Sequence, residues 1–222
     1  SSRWLESRSA RPAAHRAVGM EKWGGYYSNG FLPWRSGEPY PQLADFVASG
    51  RLEPGCRCLE LGCGTGENVA LLARSGFSVT GVDLVPQAVE QAAQATAGLE
   101  SAKLLCLDVF DLPNEACPAG SFDLIVDCQV FHVLRLVDEA KVVRVMEQML
   151  RPGGLVFLLT GHSADGGRGP EPLSREDFGV FEAAGLVIES LEESYFPWTD
   201  HYRSQGKELP PKAWLALLRK PA

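Results

Sequence analysis

No stretch of this chain approaches the roughly 20 consecutive apolar residues that a membrane-spanning helix requires, so no membrane segment is expected. Positive charge is scarce: 21 lysines and arginines stand against 28 acids, for a net charge of −7. Gripping a nucleic-acid backbone takes a concentrated cationic surface, so nucleic acid is not an expected partner. Cysteine numbers six (Cys56, Cys58, Cys63, Cys106, Cys117 and Cys128), without a CxxC pair and without zinc-like His/Cys spacing, so no metal is expected. Four of them, Cys58, Cys63, Cys106 and Cys128, lie in or beside apolar runs, where a reduced thiol packs as a small hydrophobe. That usage points to a reducing compartment, the cytoplasm, and to no disulfide framework.

What is present fits a single globular domain: 222 residues, 45% hydrophobic and 22% charged. The first 19 residues stand apart, with four arginines (Arg3, Arg8, Arg11, Arg16), four serines and one acid, Glu6. They read either as a disordered leader ahead of Met20 or as the remnant of an organelle-import peptide. Residues 20–222 read as the domain, with 20–50 as an aromatic-rich cap.

From Gly55 onward, short apolar runs alternate with helical periodicity. The runs at Arg57–Leu61, Ser78–Val82, Lys103–Leu107, Phe122–Asp127 and Leu155–Thr160 have the composition of strands buried on both faces. Helices are expected at Glu67–Arg74, Gln87–Ala97 and Val137–Leu150, and another capped by Ser174 with Asp177 as its capping-box partner. Such alternation predicts an α/β fold with a mostly parallel sheet and helices on both faces. The end differs: Gly185–Ser190 and Lys212–Lys220 are both strand-like, with no convincing helix between them, which predicts a final antiparallel hairpin.

The loop Glu60-Leu61-Gly62-Cys63-Gly64-Thr65-Gly66 sits between the first strand and the first helix. Glycines there permit a tight turn and close approach of a ligand, and a helix amino end offers N–H groups. The spacing is GxGxG, not the dinucleotide GxGxxG, because Glu67 takes the third glycine's place; a nicotinamide-dependent dehydrogenase is correspondingly less well supported. Asp83, 21 residues after Gly62, can accept from ribose hydroxyls at the end of the second strand, and Asp108 from an adenine amino group at the end of the third. Three acids at neighbouring strand ends indicate a ribonucleoside site.

With "LELGCGTG", "VTGVDL", "LCLDVFDLP", "FDLIVD" and "LRPGG" in order, the chain resembles the class I S-adenosylmethionine-dependent methyltransferases over roughly residues 20–220. The resemblance implies a Rossmann-like, seven-stranded sheet with an antiparallel last strand, and S-adenosylmethionine as cofactor. It implies that Glu60, Gly62, Cys63, Gly64 and Gly66 face the methionine portion, that Asp83 and Leu84 hold the ribose, that Asp108 and Val109 flank the adenine, and that Asp127 belongs to the same site.

The segment Glu21–Pro41 holds six of the chain's twenty aromatics: Trp23, Tyr26, Tyr27, Phe31, Trp34 and Tyr40. These rings either glue an amino-terminal helix to the sheet or, with Trp23, Tyr27 and Trp34 foremost, close over cofactor and methyl-transfer pocket, where an aromatic face attracts a sulfonium. "W..YY..G..PW..G.P.P", "FDLIVDCQVFHVL" and "AWLALLRK" are similar to the thiopurine methyltransferase-like group, which includes thiol and halide methyltransferases; Arg35 stands where that group often has an acid. The resemblance implies an enzyme acting on a small-molecule acceptor, a thiol, halide or other soft nucleophile, and a monomer is expected. Trp34, Cys128, Gln129 and His132 are the expected acceptor-pocket residues, and His132 the candidate catalytic base. A small-metabolite O- or N-methyltransferase using His132 as base, and a non-catalytic S-adenosylmethionine-binding module, remain the alternatives. His132 can equally be structural and Cys128 a packed thiol. Gly161–Pro172, containing His162, reads as a mobile lid or a disordered connection, and Tyr195–Tyr202 as packing or as pocket wall.

Overall fold

A computed structural model describes residues 16, 19–165, 173–206 and 208–222. The expected leader therefore lies outside the described residues apart from Arg16 and Gly19, and so does most of the expected lid, from residue 166 to 172.

Seven strands form one sheet: β1 (Arg57–Leu61), β2 (Ser78–Asp83), β3 (Ala102–Cys106), β4 (Phe122–Cys128), β5 (Leu150–Gly161), β6 (Val187–Tyr195) and β7 (Lys212–Arg219), in the order β3-β2-β1-β4-β5-β7-β6. β1 pairs parallel with β2 and β4, and β7 runs antiparallel between β5 and β6. This is the Rossmann-like architecture, and the final hairpin is present. Strand order reverses at β1, so the crevice beyond the carboxyl ends of β1 and β4 is where such sheets bind ligands.

Helices cover both faces. Helical residues 19–28 (α1), α2 (Pro41–Ala48), α3 (Glu67–Arg74) and α4 (Pro86–Ala95) precede β3; α5 (Phe131–Met149), α6 (Gly179–Ala183) and α7 (Asp200–Ser204) follow β4. Alternation along β1 decides the sides: Leu59 and Leu61 pack with Val142 and Met146 of α5 and Phe181 of α6, whereas Cys58 packs with Leu43 of α2 and Val69 and Leu72 of α3.

Four expectations need correction. α5 begins at Phe131, not Val137, and is two helices joined at Asp138 (φ −159°, ψ 89°). Asp138 Oδ1 accepts from the Lys141 N–H at 2.9 Å, so the periodicity seen from Val137 belongs to the second half, which Asp138 caps. The linker between β6 and β7 does contain a short helix, α7, started by Thr199, whose side chain accepts from the Tyr202 N–H. Cys106 is exposed, because β3 is an edge strand; Cys58, Cys63, Cys117 and Cys128 are buried. Asp177 does meet Ser174, its Oδ2 accepting from that residue's N–H at 2.7 Å and hydroxyl at 3.0 Å, but the turn it organises is the 3-10 turn Glu176–Phe178 leading into α6.

Candidate active site

A cavity of about 770 Å³ opens at the carboxyl edge of β1, β2 and β4 and is roofed by α1 and the loop after it. The residues expected to hold cofactor or acceptor line it, with two exceptions, Gly66 and Asp127. Gly66 has φ +87°, and a Cβ there would meet Ala92 Cα at 2.7 Å, so this glycine lets the loop pack on α4. Asp127 is fully buried and its Oδ1 accepts from the Val130 and Phe131 N–H groups at 3.1 and 3.0 Å, which caps α5. The remaining loop glycines do shape the wall. Gly62 (φ +61°) clears Val130, which a Cβ would meet at 2.5 Å, and a Cβ on Gly64 would stand 3.4 Å from the Tyr27 hydroxyl.

The loop's N–H groups are less available than its glycines suggest. Cys63 donates to Val82 O, Gly64 to Asp83 Oδ2 at 3.0 Å and Gly66 to Cys63 O. Asp83 also accepts from the Val85 N–H at 2.9 Å. Its carboxylate thus fixes the loop as well as facing the cavity, and each oxygen retains a second lone pair for a hydroxyl donor. Burial raises its pKa, and those backbone donors oppose the rise. Asp108 is buried, Oδ1 accepting from the Phe110 N–H, with Oδ2 3.5 Å from Arg16 Nε; Arg16 also bonds Asp111.

Glu60 is the least satisfied group. Oε1 accepts from Asn68 Nδ2 at 2.8 Å, Oε2 is buried without a partner, and burial pushes its pKa up to about 8. A buried carboxylate oxygen left unpaired beside a cavity calls for a cation. S-adenosylmethionine brings an ammonium, a sulfonium and ribose hydroxyls, so Glu60, the aromatic roof and Asp83 fit it.

The aromatic segment is both glue and wall. Tyr27 packs with Val85 at the start of α4 and with Ala88 in its first turn, and Trp23, Tyr26 and Tyr27 surround Trp34 at centroid distances of 5.5, 5.3 and 6.1 Å. All four line the cavity. Arg35 Nε binds Glu67 Oε1 at 2.9 Å, and the Tyr40 N–H donates to Asn68 Oδ1 at 3.0 Å, tying the roof to the first turn of α3. From the opposite side the Thr199 hydroxyl donates to Pro33 O at 2.9 Å.

Across from the glycine loop, Cys128, Gln129 and His132 join the wall where β4 turns into α5. Gln129 has φ +69°, a conformation few non-glycine residues adopt, and its Nε2 donates to the Tyr40 hydroxyl at 2.7 Å. His132 is buried; the Gly161 N–H donates to its Nδ1 at 3.1 Å, Thr160 Oγ1 lies 3.2 Å from the same nitrogen, and burial lowers its pKa to about 4. Tyr40 takes the wall place that the aromatic segment allowed it, whereas sequence reasoning missed Asn68 as a wall residue and the pairing of Tyr40 with Gln129, since only folding sets Asn68 beside Glu60 and Tyr40 beside Gln129. Of the two readings of Tyr195–Tyr202, the wall applies to His201 and Tyr202. His162 lies outside this cavity's lining, stacked on Trp214 at 4.2 Å. Among the described residues no His/Cys/Asp/Glu group could hold a metal, and no helix is long and apolar enough to cross a membrane.

The family model described as a methyltransferase domain matches residues 59–158. A probable thiol methyltransferase 2 of Arabidopsis thaliana is 32% identical over 197 residues, covering 83% of this chain and 85% of that protein. A ubiquinone biosynthesis O-methyltransferase of Xanthomonas campestris pv. campestris is 33% identical over 176 residues, 79% of this chain and 66% of that protein. A solved structure from work on the conversion of a disulfide bond into a thioacetal group during echinomycin biosynthesis superposes with a TM-score of 0.75 at 25% identity, over 91% of this chain and 92% of that one. On the fold, the site's geometry and these likenesses together, the chain belongs to the class I S-adenosylmethionine-dependent methyltransferases, in the group that resembles thiol methyltransferases.

Proposed function

We propose that this methyltransferase alkylates a small soft nucleophile, a thiol or halide, at the end of the cavity walled by Trp34, Tyr40, Cys128, Gln129 and His132. Glu60 and the glycine loop would hold the amino-acid portion of S-adenosylmethionine, Asp83 and Leu84 its ribose, and Asp108 and Val109 its adenine, with Trp23, Tyr27 and Trp34 as roof. When bound, the cofactor supplies an electrophilic methyl group on a sulfonium. The chain's own residues align the acceptor with it and exclude water, and alignment alone is worth about 7–11 kcal/mol.

The observation that carries the acceptor class is the neutrality of the wall. Burial keeps the Cys128 thiol and the Tyr40 phenol protonated and holds His132 uncharged. An efficient base has a pKa near the working pH, and His132 at about 4 does not. A phenol or alcohol acceptor would need such a base, and an amine would have to arrive already neutral; a thiol is the more readily ionised in solvent and a halide needs no ionisation. The thiol methyltransferase likeness points the same way. The single domain over residues 20–222, action as a monomer without nucleic acid, and residence in the cytoplasm belong to the same proposal, supported by chain length, the charge of −7 and six thiols.

Incubation with methyl-labelled S-adenosylmethionine and a panel of thiols, thiocyanate, iodide, a catechol and a primary amine tests the reading. Thiols or the inorganic anions are expected to be methylated with the highest kcat/KM; preference for the catechol or amine, together with its loss in His132→Ala at intact cofactor affinity, would replace this reading by the O/N-methyltransferase.

A further inference from the structure

His132 lines the cavity, yet the structure gives it a partner that a base acting through Nε2 would not have. The Gly161 backbone N–H donates to Nδ1 at 3.1 Å, and a backbone N–H has no other role open to it. Nδ1 is therefore an acceptor, and the neutral ring carries its proton on Nε2. Thr160 Oγ1 occupies the same edge at 3.2 Å, and Phe196 meets the ring edge-to-face at 6.3 Å. With Nδ1 turned to β5, the edge bearing Nε2 is the one His132 can show to the cavity. To take a proton at Nε2 the ring would have to start as the Nδ1–H tautomer, which sets N–H against N–H at Gly161, and end as a cation in a site where it is 4% exposed.

Resting on the soft-nucleophile reading above, we propose that His132 is a fixed Nε2–H donor that positions an already ionised acceptor and takes no proton from it. The thiol loses its proton to solvent before it binds. In the transfer, the thiolate's electron pair forms the new sulfur–carbon bond, the methyl–sulfonium bond breaks, and its pair remains on the departing neutral thioether, so no proton moves. Gln129, held at φ +69°, adds to this arrangement by donating to the Tyr40 hydroxyl, which keeps its own proton to offer. The titratable groups lining the same cavity include Glu60 at the end of β1, Cys128 at the end of β4, Tyr40, and His201 and Tyr202 of α7. Burial holds the Cys128 and Tyr40 groups neutral, and Glu60 is bound to Asn68.

Two measurements decide it, and they fail separately from the functional reading. In protein loaded with S-adenosylhomocysteine and labelled with 15N-histidine, His132 should show a pyrrole-type Nε2 and an imine-type Nδ1 at pH 7; a proton on Nδ1, or on both nitrogens, overturns the proposal whatever the acceptor is. In turnover, the pH midpoint of kcat/KM should move with the acceptor's own pKa between an aryl thiol and a less acidic alkyl thiol. His132→Leu should raise the thiol KM by about ten- to hundredfold with that midpoint unmoved, and His132→Gln, which restores an N–H at the Nε2 position, should recover most of the loss. A midpoint common to both thiols and lost in His132→Gln identifies a base and contradicts the proposal. If neither thiol is methylated, the acceptor reading fails while the tautomer remains open to the first measurement.

Discussion

At one end of the cavity, Glu60, Asp83 and Asp108 stand at or just beyond the ends of β1, β2 and β3, three neighbouring parallel strands of the sheet. At the other end, Trp34 and Tyr40 come from ahead of the first strand, Gln129 and His132 from the start of α5, and Tyr202 from α7 between the last two strands. The first end is positioned by sheet register, with main-chain bonds from Gly64 and Val85 fixing Asp83. The second is an assembly of side chains held by single ties such as Gln129–Tyr40 and Thr199–Pro33. On the function proposed above, the register-fixed end would take the shared cofactor and the side-chain assembly the acceptor, a division that lets one fold serve many substrates.

The sharpest way to break the rigid end is Gly66→Ala. A left-handed residue with a side chain costs about 1–2 kcal/mol, and the contact with the Ala92 backbone adds about 1–3 kcal/mol of strain. Thermal unfolding should show the full loss. Gly76→Ala, at φ +88° with nothing within 4 Å of the new Cβ, should lose only the first part.

For the adjustable end, Trp34→Ala removes the ring that Trp23, Tyr26 and Tyr27 all touch. Each such pair is worth about 0.5–1.5 kcal/mol. Steady-state kinetics should show both KM values rising by about tenfold or more, and the unfolding temperature should fall by several degrees as those ring contacts are lost.

Charge at the rigid end gives a smaller, pH-dependent signal. Burial raises the Glu60 and Asp127 pKa values to about 8 and about 7, against about 4 in an unfolded chain. The ligand-free fold then binds protons more tightly than the unfolded chain, so stability present at low pH is lost as pH rises through these values. His132, lowered to about 4, acts in the opposite sense only below its unfolded value of about 6.5. From about pH 6.5 to 8.5 the ligand-free unfolding temperature should therefore fall by several degrees, and Glu60→Gln should flatten the fall. Cofactor binding at pH 7, by placing a cation at Glu60, should release protons, seen as a buffer-dependent binding enthalpy.

The smallest effect belongs to Arg35→Ala. Its bond to Glu67 joins the roof to α3, but the arginine is half exposed, so stability should change by less than about 1 kcal/mol and by still less at high salt, in denaturant unfolding.

The same contrast explains what was legible in the sequence. β1, α3 and the glycine loop announce themselves because buried parallel strands are continuous apolar runs and the loop needs positive φ at Gly62, Gly64 and Gly66. The first half of α5 was hidden: it depends on Asp127 capping Val130 and Phe131, and that acid reads in sequence as part of the ligand site. Exposure of Cys106 follows from β3 being an edge strand, and strand order is a tertiary fact. Tyr40 meets Gln129 across 89 residues of chain, and no local pattern encodes such a pairing.

The most direct test of the account is the dissociation constant for S-adenosylmethionine, by calorimetry, in the wild-type protein and in Asp83→Ala. Losing ribose acceptors and the Gly64 anchor together should weaken binding about a hundredfold or more while the protein stays folded. Equal affinity in the two proteins would contradict a nucleoside site at the ends of β1 and β2.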